Sequence, residues 1–214
     1  YRGAAPINWV LINGENETGI TTFFINEKID CGNIIMQKKV SLSIDTTAAQ
    51  LHNILIKRGG EILLETIRMI ENNRITSTPQ NGEKEIFRAP KLTKELLKID
   101  WLQSATKIHN LIRGLSPYID GKENLKEIEI CPSAWFLLED QSGRKKRIKI
   151  YLTELVTSEH VGFPEIKTNN KDYLHITTKE NTVAIKFLQA EGKKAMHIKQ
   201  FLQGNNITEK HRLI

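Results

Sequence analysis

Hydrophobic and polar positions change rhythm several times along these 214 residues. Residues 6–13 suit a short helix, opened by Pro6 in a first turn where the missing N–H costs nothing. Ile20-Thr21-Thr22-Phe23-Phe24-Ile25 is β-branched and aromatic, which predicts a buried strand. Ile34 to Val40 predicts another, with Asp30-Cys31-Gly32-Asn33 as the turn between them. Asp45 or Thr46 is placed to cap a helix carrying Leu51, Ile54 and Leu55 on one face. Gly59-Gly60 is expected to interrupt it, before Leu63, Ile67 and Ile70 resume helical spacing. This is an α/β tail, two strands followed by two helices, and it cannot bury both faces of a parallel sheet. Together with a start inside a patterned segment at Tyr1, it reads as a piece of a larger unit.

From Asn72 to Pro90 periodicity fades into polar residues, Pro and Gly, as in a linker. Ser104 to Gly114 is an amphipathic helix with Ala105, Ile108, Leu111 and Ile112 facing inward; Gly114 and Pro117 stop it. Thereafter the pattern is β, with strands expected at 134–138, 146–155, 173–177 and 182–188, and a short helix from His197 to Leu202. Short strands with one or two helices suggest a small barrel of the OB type, a fold often used on nucleic acid.

Composition adds three constraints. Apolar residues at 39% and charged residues at 26% are ordinary for a globular protein. No apolar run approaches the roughly 20 residues that span a bilayer, so a soluble, cytoplasmic protein is expected, with no membrane partner. Cys31 and Cys131 form no CxxC or Cys/His pattern and read as reduced thiols, and no metal site is visible. The net charge of +6 is uneven, with −1 over residues 1–83 and +7 over 84–214, which points to a polyanion for the second half.

Several motifs carry a resemblance. Tyr1-Arg2-Gly3-Ala4-Ala5-Pro6-Ile7-Asn8-Trp9, Asn13-Gly14-Glu15, Glu17-Thr18-Gly19-Ile20-Thr21 and Ile29-Asp30-Cys31-Gly32-Asn33-Ile34-Ile35 together resemble the folate-dependent formyltransferases. Ile99-Asp100-Trp101, Ile112-Arg113-Gly114-Leu115-Ser116-Pro117 and Leu188-Gln189-Ala190-Glu191-Gly192-Lys193-Lys194-Ala195-Met196 narrow the resemblance to methionyl-tRNA formyltransferases. One departure is Ile119 to Cys131, a charged segment of helical character where family members run almost directly into Pro132-Ser133-Ala134-Trp135.

The resemblance implies an architecture of α/β plus β. The rear of a Rossmann-like formyltransferase domain would span 1–71, a linker 72–90, and an OB-like tRNA-binding domain 91–214. It implies transfer of a formyl group from 10-formyltetrahydrofolate to the α-amine of initiator methionyl-tRNA, by a protein expected to be monomeric. An amine attacking a formamide needs a donor at the oxyanion, a His near neutrality, and a carboxylate that orients it or a relay water. The family uses Asn, His and Asp. Only the Asp is here, as Asp30; the Asn and His are expected upstream of Tyr1, so this chain alone should be inactive. Taken by itself Asp30 is an ordinary turn residue before Gly32. Arg2 is either a surface charge or a loop residue near folate.

The basic residues fall in three clusters suited to phosphate tracking. Arg144, Lys145, Lys146 and Arg147, with Lys149, follow a hairpin tip at Ser142-Gly143; Lys193 and Lys194 lie on another loop, with Lys199 nearby; Lys91, Lys94 and Lys98 line the linker exit. Trp101 and Trp135 are expected to pack in the core or at the domain seam. Two rivals stand beside this reading: a sugar-nucleotide formyltransferase, and a stand-alone RNA-binding module.

Overall fold

The computed structural model describes residues 1–27, 29–80, 87–119, 130–158, 162–208 and 210–214. The chain opens with β1 (Arg2–Gly3) and α1 (Pro6–Ile12), then the antiparallel hairpin of β2 (Glu17–Phe23) and β3 (Ile34–Ser41). Next comes α2 (Ala48–Glu71), one continuous 24-residue helix. Gly59 and Gly60 do not interrupt it. A helical glycine costs only about 1 kcal/mol relative to Ala, and the surrounding turns hold the ladder. Its cap is Thr47 rather than Asp45 or Thr46, in a reciprocal box in which the Gln50 amide N–H donates to Thr47 Oγ1 and the Thr47 amide to Gln50 Oε1.

The first strand is not buried as its composition predicted. β2 alternates exposed and half-buried positions, and Phe24 and Ile25 beyond it are exposed. Among the described residues it pairs with β3 alone, and α2 covers one face, where Thr22 and Thr66 share a hydroxyl hydrogen bond of 2.9 Å. The other strand pair of this half is parallel and minimal: β1 lies beside β4 (Arg88–Ala89). Gly3 is required there, because a Cβ at its φ of +140° would strike the Ala89 carbonyl.

The second half is built on α3 (Ala105–Leu115), capped by Ser104. Ala105, Ile108 and Ile112 are buried as the spacing predicts, and Leu111 is half-buried. Around it runs an antiparallel sheet of β5 (Ala134–Glu139), β6 (Lys145–Thr157), β7 (Ile166–Thr168), β8 (Leu174–Thr177), β9 (Asn181–Ala190), β10 (Met196–His197) and β11 (Arg212–Leu213). The order is β11-β5-β6-β9-β8-β7, with β10 added to β9. Register shifts between β6 and β9 near Leu152 mark bulges, which bend and twist a long strand. A last helix, α4 (Ile198–Gln203), ends at Gly204. Phe136, Ile148, Ile150, Ile176, Val183, Ile185 and Leu188 join α3 and Phe201 in the main core.

The two halves meet at the end of α3. Gly114 packs so closely on α1 that a Cβ would lie 2.7 Å from Ile12 Cγ1, and its carbonyl accepts from Asn8 Nδ2 at 2.8 Å. Buried Arg113 donates to Asn110 Oδ1 at 2.8 Å and to the Ser43 carbonyl at 3.2 Å. Ser116 Oγ donates to the Tyr151 carbonyl at 2.5 Å, while Thr47 Oγ1 donates to that of Tyr118 at 2.6 Å. The Arg113-Gly114-Leu115-Ser116 motif is therefore an intramolecular joint. The interior of the 119–131 departure, residues 120–129, lies outside the described residues; its ends, Ile119, Ile130 and Cys131, pack on a smaller core around Val10, Leu11 and Leu51.

Candidate functional site

The acidic turn hangs from the β2–β3 hairpin. Asp30 is exposed and sits at φ +55°, a left-handed conformation that Asp and Asn tolerate better than most residues. Two residues on, Gly32 runs so close to Phe24 that a Cβ would collide with the Phe24 carbonyl oxygen. The Phe24 amide closes this turn by donating to the Asn33 carbonyl at 2.9 Å.

Part of the expected linker is ordered against this turn. Thr78 exchanges two backbone hydrogen bonds of 2.8 Å with Ile34. Gln80 then bridges the site: its Oε1 accepts from the Arg2 guanidinium, and its Nε2 donates to the Gly32 carbonyl at 2.7 Å. Farther on, the Arg2 amide donates to the Phe87 carbonyl at 3.0 Å, Tyr1 stacks on the Phe87 ring, and Trp9 Nε1 donates to the Pro90 carbonyl at 2.8 Å. Polar segments like 77–80 have no periodicity to reveal this; the order comes from tertiary contact.

Strand alternation splits the first basic run, since successive side chains on β6 point to opposite faces. Lys145, Arg147 and Lys149 share the outer face with Glu139, Leu137 and Trp135 of β5. Lys146 turns the other way and donates to Asn205 Oδ1 at 3.2 Å, in a small recess with Arg144, Asp140 and His211. Lys145 is also partly engaged, 3.9 Å from Glu139, leaving Arg147 and Lys149 as the centre of the outer face.

Trp135 is half-buried on this outer face, so of the two expected places, core or domain seam, it does not take the core. Its neighbours Ala134, Phe136 and Leu138 point inward, and that alternation was the signal available in the sequence. The Arg147 guanidinium lies over its ring at 4.3 Å, a cation–π contact. Lys98 is paired through the backbone with Trp135, and Lys149 stands opposite it across β6. Gln189 of β9 accepts from the Tyr151 hydroxyl at 2.5 Å and donates to the Lys193 carbonyl at 2.9 Å, which ties the Lys193 loop to the same side. Lys91, Lys94, Arg144 and Lys194 are exposed but are not drawn into this group by any described contact. Trp101, in contrast, is 5% exposed and meets Phe136 edge-on at 5.3 Å.

Among the described residues no three His, Cys, Asp or Glu gather to hold a metal, and no helix is long and apolar enough to cross a membrane. An acidic turn on one part and a basic, aromatic sheet face on the other are what sequence comparison makes specific. Residues 91–206 match the family described as formyl transferase, C-terminal domain, and residues 1–67 match formyl transferase. The chain belongs to the formyl transferase family.

Within it, the chain is 38% identical to a methionyl-tRNA formyltransferase of Phocaeicola vulgatus over all of this chain and 63% of that protein. It is 40% identical to another from Alkaliphilus oremlandii, over 97% of this chain and 61% of the relative. It thus spans about three fifths of the length of these relatives. Among solved structures it resembles WlaRD, a sugar 3N-formyl transferase crystallised in the presence of dTDP and 5-N-formyl-THF. The TM-score is 0.59 at 25% identity, over 90% of this chain and 62% of the other. HypX from Aquifex aeolicus, in complex with tetrahydrofolic acid, has a TM-score of 0.60 at 19% identity, over 94% of this chain and 32% of its own, and shares the fold.

Proposed function

We propose that this chain is part of a methionyl-tRNA formyltransferase, which moves a formyl group from 10-formyltetrahydrofolate to the α-amine of initiator methionyl-tRNA. The observation that carries the choice within the family is the outer sheet face, where Arg147, Lys149 and Lys98 surround Trp135 on the half of the chain with the +7 charge. Phosphates are held there by cations, and an arginine on an indole gives a flat, polar platform suited to a nucleic acid backbone or base. The relatives' names and identities support the same choice.

In this reading residues 1–71 are the rear of a Rossmann-like catalytic domain, 72–90 a connection, and 91–214 an OB-like tRNA-binding domain. Asp30 supplies the carboxylate that orients a proton carrier, and Arg2 faces the formyl donor or the aminoacyl end. The oxyanion donor and the base, Asn and His in this family, come from residues outside these 214. Among the histidines present, His109 is committed elsewhere, bonded to Thr153 Oγ1 at 2.9 Å and the Ile44 carbonyl at 3.0 Å. The chain alone therefore transfers no formyl group, and in the full-length protein Asp30→Asn lowers kcat by about 100-fold or more, the usual scale for proton-transfer groups. Wild-type turnover by the Asp30→Asn protein, or robust transfer by this chain alone, counts against the assignment.

The likeness to WlaRD favours a second reading, a formyltransferase for an amino sugar nucleotide. Equilibrium binding separates the two. Initiator methionyl-tRNA should bind this chain and dTDP-amino sugars should not; the reverse preference would select the sugar reading.

A further inference from the structure

We infer that Gln80 is a positioning residue for formyl transfer, holding Arg2 and the Asp30 turn in one arrangement; this rests on the function proposed above. Gln80 lies in a polar stretch with no helical or strand pattern, and nothing in that stretch resembles a catalytic motif. Yet its amide is used at both ends, on the two elements assigned to the site. A guanidinium only donates and a carbonyl only accepts, so the contacts with Arg2 and with the Gly32 carbonyl fix the orientation of the amide. No other uncharged side chain of this length offers an acceptor and a donor in one fork.

The backbone around it is built to hold the fork in place. The Thr78–Ile34 bridge pins the exit of the turn two residues before Gln80, and Asn33 Nδ2 reaches Ser77 Oγ at 3.4 Å. On the other side, the pairing of β1 with β4 fixes the backbone of Arg2 itself. Residues 77–80 thus form a strap across the mouth of the turn, with Gln80 as its one side-chain link, among the described residues, between Arg2 and the turn that carries Asp30. An exposed aspartate at positive φ on a hairpin loop has few contacts of its own to define its place. A strap of this kind supplies that definition, and misplacing a reacting group by about 1 Å can cost 100-fold in rate.

The test uses Gln80→Leu and Gln80→Glu in the full-length protein, with hydrogen exchange of residues 29–34 followed alongside. Gln80→Leu removes both bonds. Gln80→Glu keeps the contact with Arg2 but sets a carboxylate against the Gly32 carbonyl. Both variants are expected to exchange faster over 29–34 and to lose about 10- to 100-fold in kcat/KM for the formyl donor, while tRNA affinity and Tm stay near wild type. Gln80→Glu should fail as Gln80→Leu does, because the turn is released in both. Faster exchange with unchanged donor kinetics would reduce Gln80 to a structural contact and overturn the inference, as would unchanged exchange. A wild-type protein that moves no formyl group, but has slow exchange over 29–34, would instead sink the proposed function and leave the strap as architecture alone.

Discussion

Single residues set the local limits of the site. At Gly32 the turn leaves no room for a side chain against Phe24. Gly32→Ala should therefore cost about 1–3 kcal/mol, the usual range for overpacking, read as a lower urea midpoint with unchanged slope; an unchanged midpoint would mean the turn has another stable form. The two thiols differ as sharply. Cys131 is buried and its pKa is pushed up to about 12 by that burial, whereas Cys31 is exposed on the acidic turn. Alkylation of the native chain near pH 8 should label Cys31 and spare Cys131, as mass mapping would report, since the thiolate is the nucleophile. Labelling of both at equal rates would contradict the packing of Cys131. At this scale motifs drew attention to Asp30 and Arg2, and the structure adds the side chain that lies between Arg2 and the acidic turn. Trp135 could have been placed from its apolar neighbours, while Gln80 could not, because a lone glutamine among polar residues signals nothing.

Elements were legible where their own sequence decides them. α3 begins and ends within one residue of its Ser104 cap and Gly114 stop, since capping and apolar spacing agree there. β2 was misread because its composition suits a buried strand, whereas its burial depends on what covers it. β10 and β11 are two-residue strands created by pairing with β9 and β5, with no pattern of their own to detect. The joint at the end of α3 was visible as a motif but not as a joint. His109 lies at its heart, with Nε2 donating to the Ile44 carbonyl and lying 3.6 Å from Asp45, beside Arg113. Burial, the largest effect, holds its pKa below the ordinary 6.5, and nearby Arg113 acts the same way, against the opposing pull of the Ile44 carbonyl and Asp45. The unfolded chain therefore takes up a proton at higher pH than the native one. This contribution is fully present above about pH 6.5 and declines as pH falls below it. His109→Gln, which can keep both hydrogen bonds, should flatten the loss of stability as pH falls below about 6.5. His175, also shifted down by burial, should leave a residual slope. A variant as acid-sensitive as wild type would place the effect elsewhere.

For the molecule as a whole, the question is whether the charge asymmetry has a working address. The excess of +7 was readable from composition, and composition alone leaves it spread over the surface. Strand alternation and cross-strand register divide it, turning Lys146 away and gathering Arg147 and Lys149 with Lys98 around Trp135. The measurement that tests this account most directly is the affinity of this chain for initiator methionyl-tRNA across a salt series, beside the Arg147→Glu/Lys149→Glu double variant. Log affinity should fall steeply with log salt, and the double variant should bind more weakly with a slope shallower by about 2. Binding that is absent at low salt, indifferent to salt, or unchanged in the double variant would contradict it.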